Sequence, residues 1–402
     1  MRLESCIRKG LGLKAHRVRN VREEGGLLVA DIEWIETRRL RCGQCSLPTD
    51  RVHARQPIRQ WRDLKVRDHE LVLSYAPRRV RCHRCGVHVE RVPWATRWQR
   101  VTKALSMALA RLAKMLSWKE TAGHYRVDWK TVAAAVKTAV AEGLRRRKWK
   151  PLRVIGIDEV SRSKGHRYLT LVYDLEQRRL VWIGQNRDAE TMQKFFAWLG
   201  PRKARSILIV CCDMWAVYIE AVRANLPGAF IVFDRFHVVH HLNRAVDDVR
   251  RQAWRNLRGE EKVAFKRTRW LWLKNPWNLK TEEKRRLSAL CKKNSPIVRA
   301  YYLKEAFQRF WDYKSAGWSE PYLRQWLWWA SHSRLQPFVK FARMIRKHLD
   351  GILVWTKLPV ANGALEGMNN KVKVVSHRAY GFRTAETYIT AIWHGCGDLP
   401  LG

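Results

Sequence analysis

The stretch SILIVCCDMWAVYIEAVRANLPGAFIVFD, residues 206–234, contains the pattern that decides the fold. Its two ends, SILIVCCD and AFIVFD, are short apolar runs of the kind that forms buried strands. The segment between them has the apolar spacing of a helix and stops at Pro227 and Gly228. The stretch therefore predicts a strand, a helix and a second strand, from which sheets covered by helices are built.

The residues before this stretch extend the same sheet. LRVIGID, residues 152–158, predicts another buried strand, and residues 168–184 predict a hairpin that turns at 174–178. Residues 189–200 predict a helix that ends at Gly200 and Pro201. Three strands joined by short turns, followed by further strands alternating with helices, predict a mixed five-stranded sheet, so the expected fold class is α/β.

Two of these strands are expected to end in carboxylates, Asp158 and Asp213. Functional groups in open sheets gather at the carboxyl ends of strands, so the two acids lie side by side if their strands are neighbours. Each carboxylate of such a pair raises the pKa of the other, unless a divalent cation binds to both. Hard oxygen ligands favour Mg²⁺ or Mn²⁺, and two ions sharing an aspartate suit phosphodiester chemistry.

A third acid is expected in NGALEGMNNKVKVVSHRAYGFRT, where Glu366 lies at the start of a predicted helix. Asn362 is a candidate for positioning that helix start. A solvated glutamate on a helix surface is the alternative reading of Glu366. The polar and basic residues that follow fit a surface that faces DNA phosphates: Asn370, Lys371, Lys373, Arg378 and Arg383.

Asp234 and His237 follow the fifth predicted strand in FDRFHVVHH. They are candidates for a supporting pair near the metal or the DNA. The alternative is a helix N-cap aspartate beside a histidine whose hydrogen bonds are satisfied, and the sequence does not decide between the two. Glu159 should point to the opposite face of the strand from Asp158.

Four of the nine cysteines form two C-x-x-C pairs, Cys42 with Cys45 and Cys82 with Cys85. Each pair supplies two thiolates from one tight turn, and a structural zinc ion takes four such ligands. We therefore expect one structural Zn²⁺ in an N-terminal zinc-binding domain, residues 1–95. The spacer between the pairs is longer than in the commonest zinc sites, so chance pairing or a redox pair is the alternative.

Residues 120–140, ETAGHYRVDWKTVAAAVKTAV, have the pattern of a helix-turn-helix, within a DNA-binding segment and basic linker over residues 100–150. Asp128 is a candidate N-cap of the second helix, and the start of that helix would meet base edges in a major groove. An ordinary helical hairpin is the alternative. The residues expected to face outward are Trp129, Lys130, Thr131 and Lys137.

The charge of the chain indicates a polyanionic partner. Its 402 residues contain 79 Lys and Arg against 36 Asp and Glu, a formal net charge of +43. Nucleic acid is the first candidate partner for so positively charged a chain, and an anionic membrane surface is the second. No run of about 20 apolar residues predicts a membrane span, and the cysteine usage fits a reducing compartment. We expect a cytoplasmic or nucleoid-associated protein.

In their order along the chain, these features resemble the ISL-three group of bacterial insertion-sequence transposases. The resemblance rests on the cysteine pairs, the helix-turn-helix, and the motifs GIDEVS, CCDMW, DRFHVVHHLN and ALEGMNNKVKVVSHRAYGFRT. It implies a ribonuclease-H-like core with a D, D, E triad, which falls by position on Asp158, Asp213 and Glu366. That core would comprise residues 152–239 and 356–402, divided by a helical insertion over residues 240–355.

The resemblance also implies a reaction and partners. Water would cleave phosphodiesters at the element ends, and the freed 3′-hydroxyl would attack target DNA, with two Mg²⁺ or Mn²⁺ ions in the active site. The partners implied are double-stranded DNA, as terminal inverted repeats and as target, and a second copy of the chain in a homodimer on DNA. Three alternatives stay open: a catalytically inactive DNA-binding regulator, another ribonuclease-H-like metal nuclease, and an RNA-associated zinc protein.

The predicted insertion is rich in tryptophan. Most of these side chains are expected to be packing residues, and some to stack on unpaired or flipped bases. The set comprises Trp254, Trp270, Trp272, Trp277, Trp311, Trp318, Trp326, Trp328 and Trp329.

Overall fold

The computed structural model describes residues 3–163, 167–293, 295–357 and 362–401. Its elements form an N-terminal β-rich region, a three-helix unit, a central mixed sheet, a helical insertion and two C-terminal helices. None of the helices in the described ranges combines the length and the apolarity that a bilayer crossing requires.

The N-terminal region consists of one helix and nine short strands. They are α1 (Leu3–Leu11), β1 (His16–Glu24), β2 (Leu27–Trp34), β3 (Leu40–Arg41), β4 (Pro48–Thr49), β5 (Val52–Arg55), β6 (Arg59–Arg62), β7 (Glu70–Tyr75), β8 (Arg78–Cys82) and β9 (Gly86–Val89). One sheet has the order β1-β2-β7-β6, with a parallel β2–β7 pair. Two antiparallel sheets, β3-β4 and β5-β8-β9, flank the cysteine pairs. The sequence predicted short strands here but not α1 or the parallel pair.

Three helices follow, α2 (Lys103–Leu112), α3 (Trp118–Tyr125) and α4 (Trp129–Arg146). Each begins at a side chain that accepts a backbone N–H of the first turn, since Thr102, Ser117 and Asp128 are the N-caps. The helices pack around the inward residues of α4, which include Val132 and Val136. The N-cap at Asp128 and the buried valine face are as the sequence predicted.

The central sheet contains β10 (Val154–Ser163), β11 (Arg167–Asp174), β12 (Arg179–Gln185), β13 (Ile209–Cys212) and β14 (Phe230–Phe233). Its order is β12-β11-β10-β13-β14, antiparallel from β12 to β10 and parallel from β10 to β14. The helices α5 (Ala189–Ala204) and α6 (Ala216–Asn225) pack on one face. The predicted mixed five-stranded sheet of an α/β protein is confirmed.

One predicted boundary in this region was wrong and another was confirmed. The strand β10 does not end at Asp158 but continues to Ser163, because β11 is long enough to pair with it as far as Ser161 and beyond. The pairing with β13 does stop at Gly156, so Asp158 lies where only one neighbouring strand continues. The first helical part of α5 ends at Gly200, as predicted, because Gly200 has a φ of 70°, and a short second part begins at Pro201.

In the part of the chain that the structure describes, eight α-helices occupy the insertion between β14 and the C-terminal helices. They are α7 (Arg235–Asn256), α8 (Gly259–Ala264), α9 (Arg269–Leu273), α10 (Thr281–Cys291), α11 (Pro296–Arg309), α12 (Ala316–His332), α13 (Gln336–Lys347) and α14 (Leu349–Lys357). They share an apolar core that includes Trp272, Phe307 and Phe338. The helix α14 returns the chain to the sheet at β14, where a Cβ on Gly351 would lie 2.4 Å from the Phe233 ring.

The tryptophans of the insertion do not follow the prediction that most are packing residues. Trp272, Trp311 and Trp326 are buried, and Trp254 is half-buried. Helical spacing alone does not separate an inward face from an outward face when aromatic residues occupy both. The exposed ones are Trp270, Trp277, Trp318, Trp328 and Trp329.

Two C-terminal helices, α15 (Asn362–Arg378) and α16 (Ala385–Cys396), cover the other face of the central sheet. Gly156 in β10 makes the close approach of α15 possible, because a Cβ there would lie 2.8 Å from Leu365 Cδ1. The α16 helix also contacts α4, so the three-helix unit is packed against the C-terminal part of the chain. This arrangement brings α15 across the carboxyl ends of the parallel strands.

Candidate active site and cysteine cluster

Three aspartates lie in one row across the parallel part of the central sheet. Gly156 pairs with Cys211, and Cys212 pairs with Phe233. The same registers, continued past the strand ends, place Asp158 beside Asp213 and Asp213 beside Asp234. Neighbouring strands are about 4.8 Å apart. Residues two positions apart on a strand point to the same face of the sheet. Each of the three aspartates is two positions from a residue that packs on the α15 side, so the row lies beneath that helix.

Each aspartate of the row is held by a short contact with its own backbone. Asp158 Oδ1 accepts the N–H of Glu159 at 2.7 Å, and Asp213 Oδ1 accepts the N–H of Met214 at 2.6 Å. Asp234 Oδ1 accepts the N–H of Phe236 at 2.9 Å and is the N-cap of α7. One carboxylate oxygen of each residue is thereby oriented, and the second oxygen is left for other partners.

His237 lies between two of these aspartates. Its Nδ1 is 3.6 Å from Asp213 Oδ2, and its Nε2 is 3.9 Å from Asp234 Oδ2. Asp234 is a helix N-cap, as one of the two readings left open by the sequence predicted. A supporting role of Asp234 and His237 near a metal or DNA stays a prediction. The structure places the predicted supporting pair beside the candidate site.

Burial and mutual repulsion make the row electrostatically unfavourable. The pKa of Asp158 is raised to about 6, mainly by burial and also by the negative charge of Glu159, against the backbone N–H of Glu159, His237 and the amide of Asn369. Burial also raises the pKa of Asp234, and the charges of Asp213 and Glu366 add to that effect. A cation bound among these groups would relieve the repulsion, which is the electrostatic signature of a metal or catalytic site.

The helix α15 contacts the row through Asn369. Its Nδ2 donates a hydrogen bond to Asp158 Oδ2, and its Oδ1 accepts one from the Tyr173 hydroxyl at 3.1 Å. Glu366 is exposed, and it lies one turn before Asn369 on the same side of the helix. Sequence reasoning assigned no role to Asn369, although its spacing of three residues from Glu366 was a usable signal. The side chain of Asn362 lies outside the described residues.

The structure does not bring Asp158, Asp213 and Glu366 within joint reach of one ion. Among the described residues, the four cysteines are the one group of three or more potential ligands whose atoms all lie within 4.8 Å of one another. The two aspartates are aligned by strand register, whereas Glu366 approaches from a helix that follows the insertion. The assignment of these three residues to a catalytic site therefore stays a prediction.

Glu159 points away from the row, as the alternation of the strand predicted. It accepts hydrogen bonds from Arg187 and from the Tyr218 hydroxyl, each at 3.0 Å. Tyr218 belongs to α6 on the opposite face of the sheet. The charge of Glu159 therefore affects the pKa of Asp158, but its side chain lies on the opposite face of the sheet from the row.

Sequence reasoning missed two further histidines near Asp213. Burial lowers the pKa of His241 on α7 and of His348 before α14, while the charge of Asp213 raises both. His348 also packs edge-on against the Phe233 ring at 5.0 Å. The motif FHVVHH gave a local signal for His241, whereas His348 comes from the far end of the insertion and has no local signal.

The four cysteines of the C-x-x-C pairs form a cluster that matches the chemistry of zinc. Their sulfurs all lie within 4.8 Å of one another, and Cys45 Sγ is 3.5 Å from Cys82 Sγ. Sulfurs about 2.3 Å from a tetrahedral ion are about 3.8 Å apart. The close approach of the first turn requires Gly43, because a Cβ there would lie 2.2 Å from the Val89 carbonyl oxygen.

The thiols of the cluster perturb one another in opposite directions. A hydrogen bond from the backbone of Leu47 lowers the pKa of Cys45 to about 7. The hydrogen bond with Cys45 raises the pKa of Cys85 to about 12. Four thiolates cannot form together without a cation, and a bound divalent ion removes this obstacle. The donor set and its spacing therefore fit one structural zinc ion.

Comparison with known proteins identifies the family of this chain. The profile of the transposase family DDE_Tnp_ISL3 matches residues 155–392, which include every strand of the central sheet, the insertion and α15. The chain belongs to this transposase family. The expected resemblance to ISL-three transposases is thereby confirmed, and with it the function of a DNA transposase.

Curated relatives match over most of their length. The transposase for insertion sequence element IS1001 of Bordetella parapertussis is 34% identical over 355 residues, covering 87% of this chain and 87% of the relative. The transposase for insertion sequence element IS1557 of Mycobacterium tuberculosis is 30% identical over 390 residues, covering 91% and 88%. The transposase described here is therefore an enzyme that acts on DNA strands, and DNA is its partner.

The three-helix unit presents its predicted DNA-facing residues at the surface of the transposase. Trp129 is 51% exposed at the start of α4, and Lys130 and Lys137 are exposed. Thr131 is half-buried, and Lys137 is paired with Glu386 on α16 at 2.6 Å. The turn between α3 and α4 spans residues 126–128, a length that suits a helix-turn-helix. Contact of these residues with DNA stays a prediction.

The predicted phosphate-facing residues of the transposase lie on α15 and the turn after it. All five are exposed, and Arg378 donates a hydrogen bond to the Lys114 carbonyl at 2.7 Å. The structure thus joins the end of α15 to the three-helix unit through Arg378. The others are Asn370, Lys371, Lys373 and Arg383.

Proposed function

We propose that this transposase binds the terminal inverted repeats of its insertion sequence and catalyses DNA strand cleavage and strand transfer. Asp158, Asp213 and Glu366 are the proposed catalytic carboxylates. The observation that carries the proposal is the register of the parallel strands, which aligns Asp158 with Asp213 beneath α15. The hydrogen bond of Asn369 with Asp158 supports it, because Glu366 lies one turn away on the same helix.

The proposed fold of the catalytic core is ribonuclease-H-like. Three antiparallel strands followed by two parallel strands, in the order β12-β11-β10-β13-β14, support this assignment. The core is interrupted between β14 and α15 by the helical insertion. The N-terminal sheets with the cysteine cluster are the proposed zinc ribbon, and α3 with α4 is the proposed helix-turn-helix. The proposed domain boundaries are those predicted from the sequence.

The proposed metal ligands are the carboxylate oxygens of Asp158, Asp213 and Glu366, with one Zn²⁺ on Cys42, Cys45, Cys82 and Cys85. Two Mg²⁺ or Mn²⁺ ions, when bound, would lower the barrier for attack and departure of oxygen at phosphorus. The residues fit such ions because they are hard oxygen donors. In addition, Asp158 is buried beside the negative charge of Glu159, which a cation would offset.

The remaining residues orient the site. Asn369 keeps the Asp158 carboxylate turned toward α15, and His237 is placed to balance the charges of Asp213 and Asp234. The exposed cations of α15 would hold phosphates of the DNA along the helix. Asn362 is proposed to position the start of this helix.

The proposed assembly is a homodimer on DNA that pairs the two element ends. We place this complex at the nucleoid of a bacterial cytoplasm, because DNA is the partner and the +43 charge favours binding to a polyanion. Analytical ultracentrifugation with and without end DNA would measure the stoichiometry. A complex that holds both element ends with only one copy of the chain would contradict this part of the proposal.

The deciding experiment measures Mg²⁺-dependent nicking of DNA that carries both ends of the encoding element. Asp158→Asn, Asp213→Asn and Glu366→Gln are each expected to reduce nicking by about two to three orders of magnitude. Glu282→Gln, an exposed acid in the first turn of α10, is the matched control and should nick at the wild-type rate. Affinity for end DNA is measured separately and should change little in all four variants.

Two outcomes would contradict the proposal. Wild-type protein that binds end DNA but never nicks it would favour a DNA-binding regulator. Nicking without preference for element ends would favour a general metal nuclease on the same core.

A further inference from the structure

A groove of about 700 Å³ opens between the three-helix unit and the C-terminal helices. One wall comes from the end of α2 and the start of α3, and the other from the end of α15, the turn after it and α16. Its aromatic lining consists of Trp118, Trp129, Tyr380 and Phe382. The groove is separate from the row of aspartates, and it has the size of a site for a small planar ligand.

The charged side chains that line the groove have a single sign. Four cationic side chains line it, and none of its lining residues is acidic. One of the four, Arg378, donates a hydrogen bond to the Lys114 carbonyl at 2.7 Å, which links the two walls of the groove. Aromatic faces framed by cations match a ligand that has a flat ring and a phosphate. The other three cations are Lys114, Lys119 and Arg383.

Tyr380 is presented to solvent on a turn that the neighbouring rings anchor. It is fully exposed, and its φ of 52° and the φ of 97° at Gly381 define a tight turn. The next residue, Phe382, stacks on Tyr388 with ring centroids 5.0 Å apart and packs edge-on against Trp118 at 6.1 Å. An aromatic ring held outward in this way is a stacking platform that a bound ring would cover.

His394 is a buried and incompletely hydrogen-bonded residue beside the groove. The side chain lines the groove and is 3% exposed. Its ring hydrogen-bonds to the backbone of Ala110, while its Nε2 has no hydrogen-bond partner among the described residues. A neutral imidazole that donates one N–H leaves the other nitrogen as an acceptor.

We infer that this groove binds an unpaired nucleotide of the DNA substrate, with the base against Tyr380 and the phosphates against the surrounding cations. The inference rests on the proposed function, since it requires that the protein engages DNA. Glu366 and Arg378 lie on one helix, twelve residues apart, which is about 18 Å. That distance corresponds to about five nucleotides along one DNA strand. The unpaired nucleotide would therefore lie about five nucleotides from the cleaved phosphate.

The test compares the affinity for a blunt duplex with that for the same duplex carrying a short single-stranded extension, at physiological salt. We expect the wild-type protein to prefer the extended duplex by about tenfold, or about 1.4 kcal/mol. Tyr380→Ala should remove this preference and leave the affinity for the blunt duplex unchanged. Tyr380→Phe keeps the ring and should keep the preference.

Two further arms identify the ligand and control for the loss of an aromatic side chain. Tyr302→Ala removes a partly exposed tyrosine from α11 in the insertion and should keep the wild-type preference. Free deoxynucleoside monophosphate, added as a competitor, should not abolish it at concentrations near that of the protein. Photo-crosslinking of 5-iodouracil in the extension should label the Trp118–Lys119 or Tyr380–Arg383 peptides.

The outcomes separate this inference from the proposed function. Equal affinity for both duplexes, or loss of blunt-duplex affinity in Tyr380→Ala, overturns the inference but not the proposed function. Failure to bind either duplex overturns the proposed function itself. Displacement of the extension by free nucleotide reassigns the groove to a small molecule. A change of oligomeric state in Tyr380→Ala, without a change in preference, makes the groove a contact between copies.

Discussion

Asn369 is the residue that links the sheet to the helix carrying the proposed third carboxylate. It donates to Asp158 and accepts from Tyr173. Its amide also stabilises the ionised form of Asp158, whose pKa burial raises to about 6. Loss of this hydrogen bond should therefore leave Asp158 more readily protonated and less well oriented.

Asn369→Ala is predicted to reduce the rate of DNA nicking by about tenfold or more, because a hydrogen bond to a charged group contributes about 1.5–3 kcal/mol. The acid limb of the pH–rate profile should also move to higher pH. Nicking rates across the pH range measure both effects. Asn225→Ala, an exposed asparagine at the end of α6, is the control, and an unchanged profile in Asn369→Ala would rule out the positioning role.

His394 predicts a pH dependence of stability. The pKa of His394 is lowered from 6.5 to about 4, mainly by burial and also by the charge of Lys114. The unfolded chain therefore takes up a proton at higher pH than the folded chain does. The stabilisation is fully present above pH 6.5 and is lost as the pH falls toward 4, by about 3 kcal/mol.

The measurement for His394 is the free energy of unfolding by denaturant at a series of pH values. His394→Phe keeps a ring in the same space but has no proton to gain. Its stability should fall less steeply than that of the wild-type protein as the pH is lowered through this window. Parallel curves for the two proteins would show that His394 is not the group responsible.

At the scale of elements, Gly156 controls how closely α15 approaches the sheet. A Cβ at this position would lie 2.8 Å from Leu365 Cδ1 and 2.9 Å from Leu175 Cδ2. Both leucines are buried, so they have little room to move. The helix that carries Glu366 and Asn369 would shift outward instead.

Gly156→Ala is predicted to destabilise the protein by about 1–3 kcal/mol, the usual effect of overpacking a core, and to reduce nicking beyond the loss of folded protein. Thermal unfolding and nicking rates measure the two effects. Gly228→Ala is the matched control, because a Cβ there would meet nothing within 4 Å. Equal behaviour of the two variants would contradict the close packing of α15.

The sequence predicted elements well where the signal was local. The strands that became β10, β13 and β14 were visible as continuous apolar runs, and the hairpin β11–β12 was visible from its turn. The continuation of β10 past Asp158 was not visible, because it depends on pairing with β11 rather than on the apolar run. The contact of Asn369 with Asp158 joins residues 211 positions apart, and no local pattern specifies such a contact.

At the scale of the whole molecule, features set by residues close together in the sequence were again predicted better than features set by distant residues. The C-x-x-C spacing alone was enough to predict that four cysteines would gather, and they do. The tryptophans of the insertion were predicted mainly to pack, and five of the nine are exposed. Burial in a bundle of eight helices depends on how the helices are arranged, which apolar spacing within each helix does not determine.

Zinc is predicted to stabilise the N-terminal region as a unit. Metal analysis should find about one zinc per chain, since four cysteine ligands fill one tetrahedral site. Cys82→Ser should lose the zinc and unfold the strands that flank it, seen as rapid hydrogen exchange there, while the central sheet keeps its protection. Cys6→Ser, an exposed cysteine outside the cluster, should retain the metal. Folded, zinc-free wild-type protein would contradict this prediction.

The position of the insertion determines when the proposed catalytic site can be completed. Asp158 and Asp213 precede the insertion, whereas Glu366 and Asn369 follow it. Since a ribosome delivers the chain from its N-terminus and domains fold as they emerge, the cysteine cluster, the three-helix unit and the sheet are made first. A nascent chain therefore acquires the proposed helix-turn-helix before the proposed catalytic residue Glu366. We expect a product terminated within the insertion to bind DNA through that helix-turn-helix without cutting it.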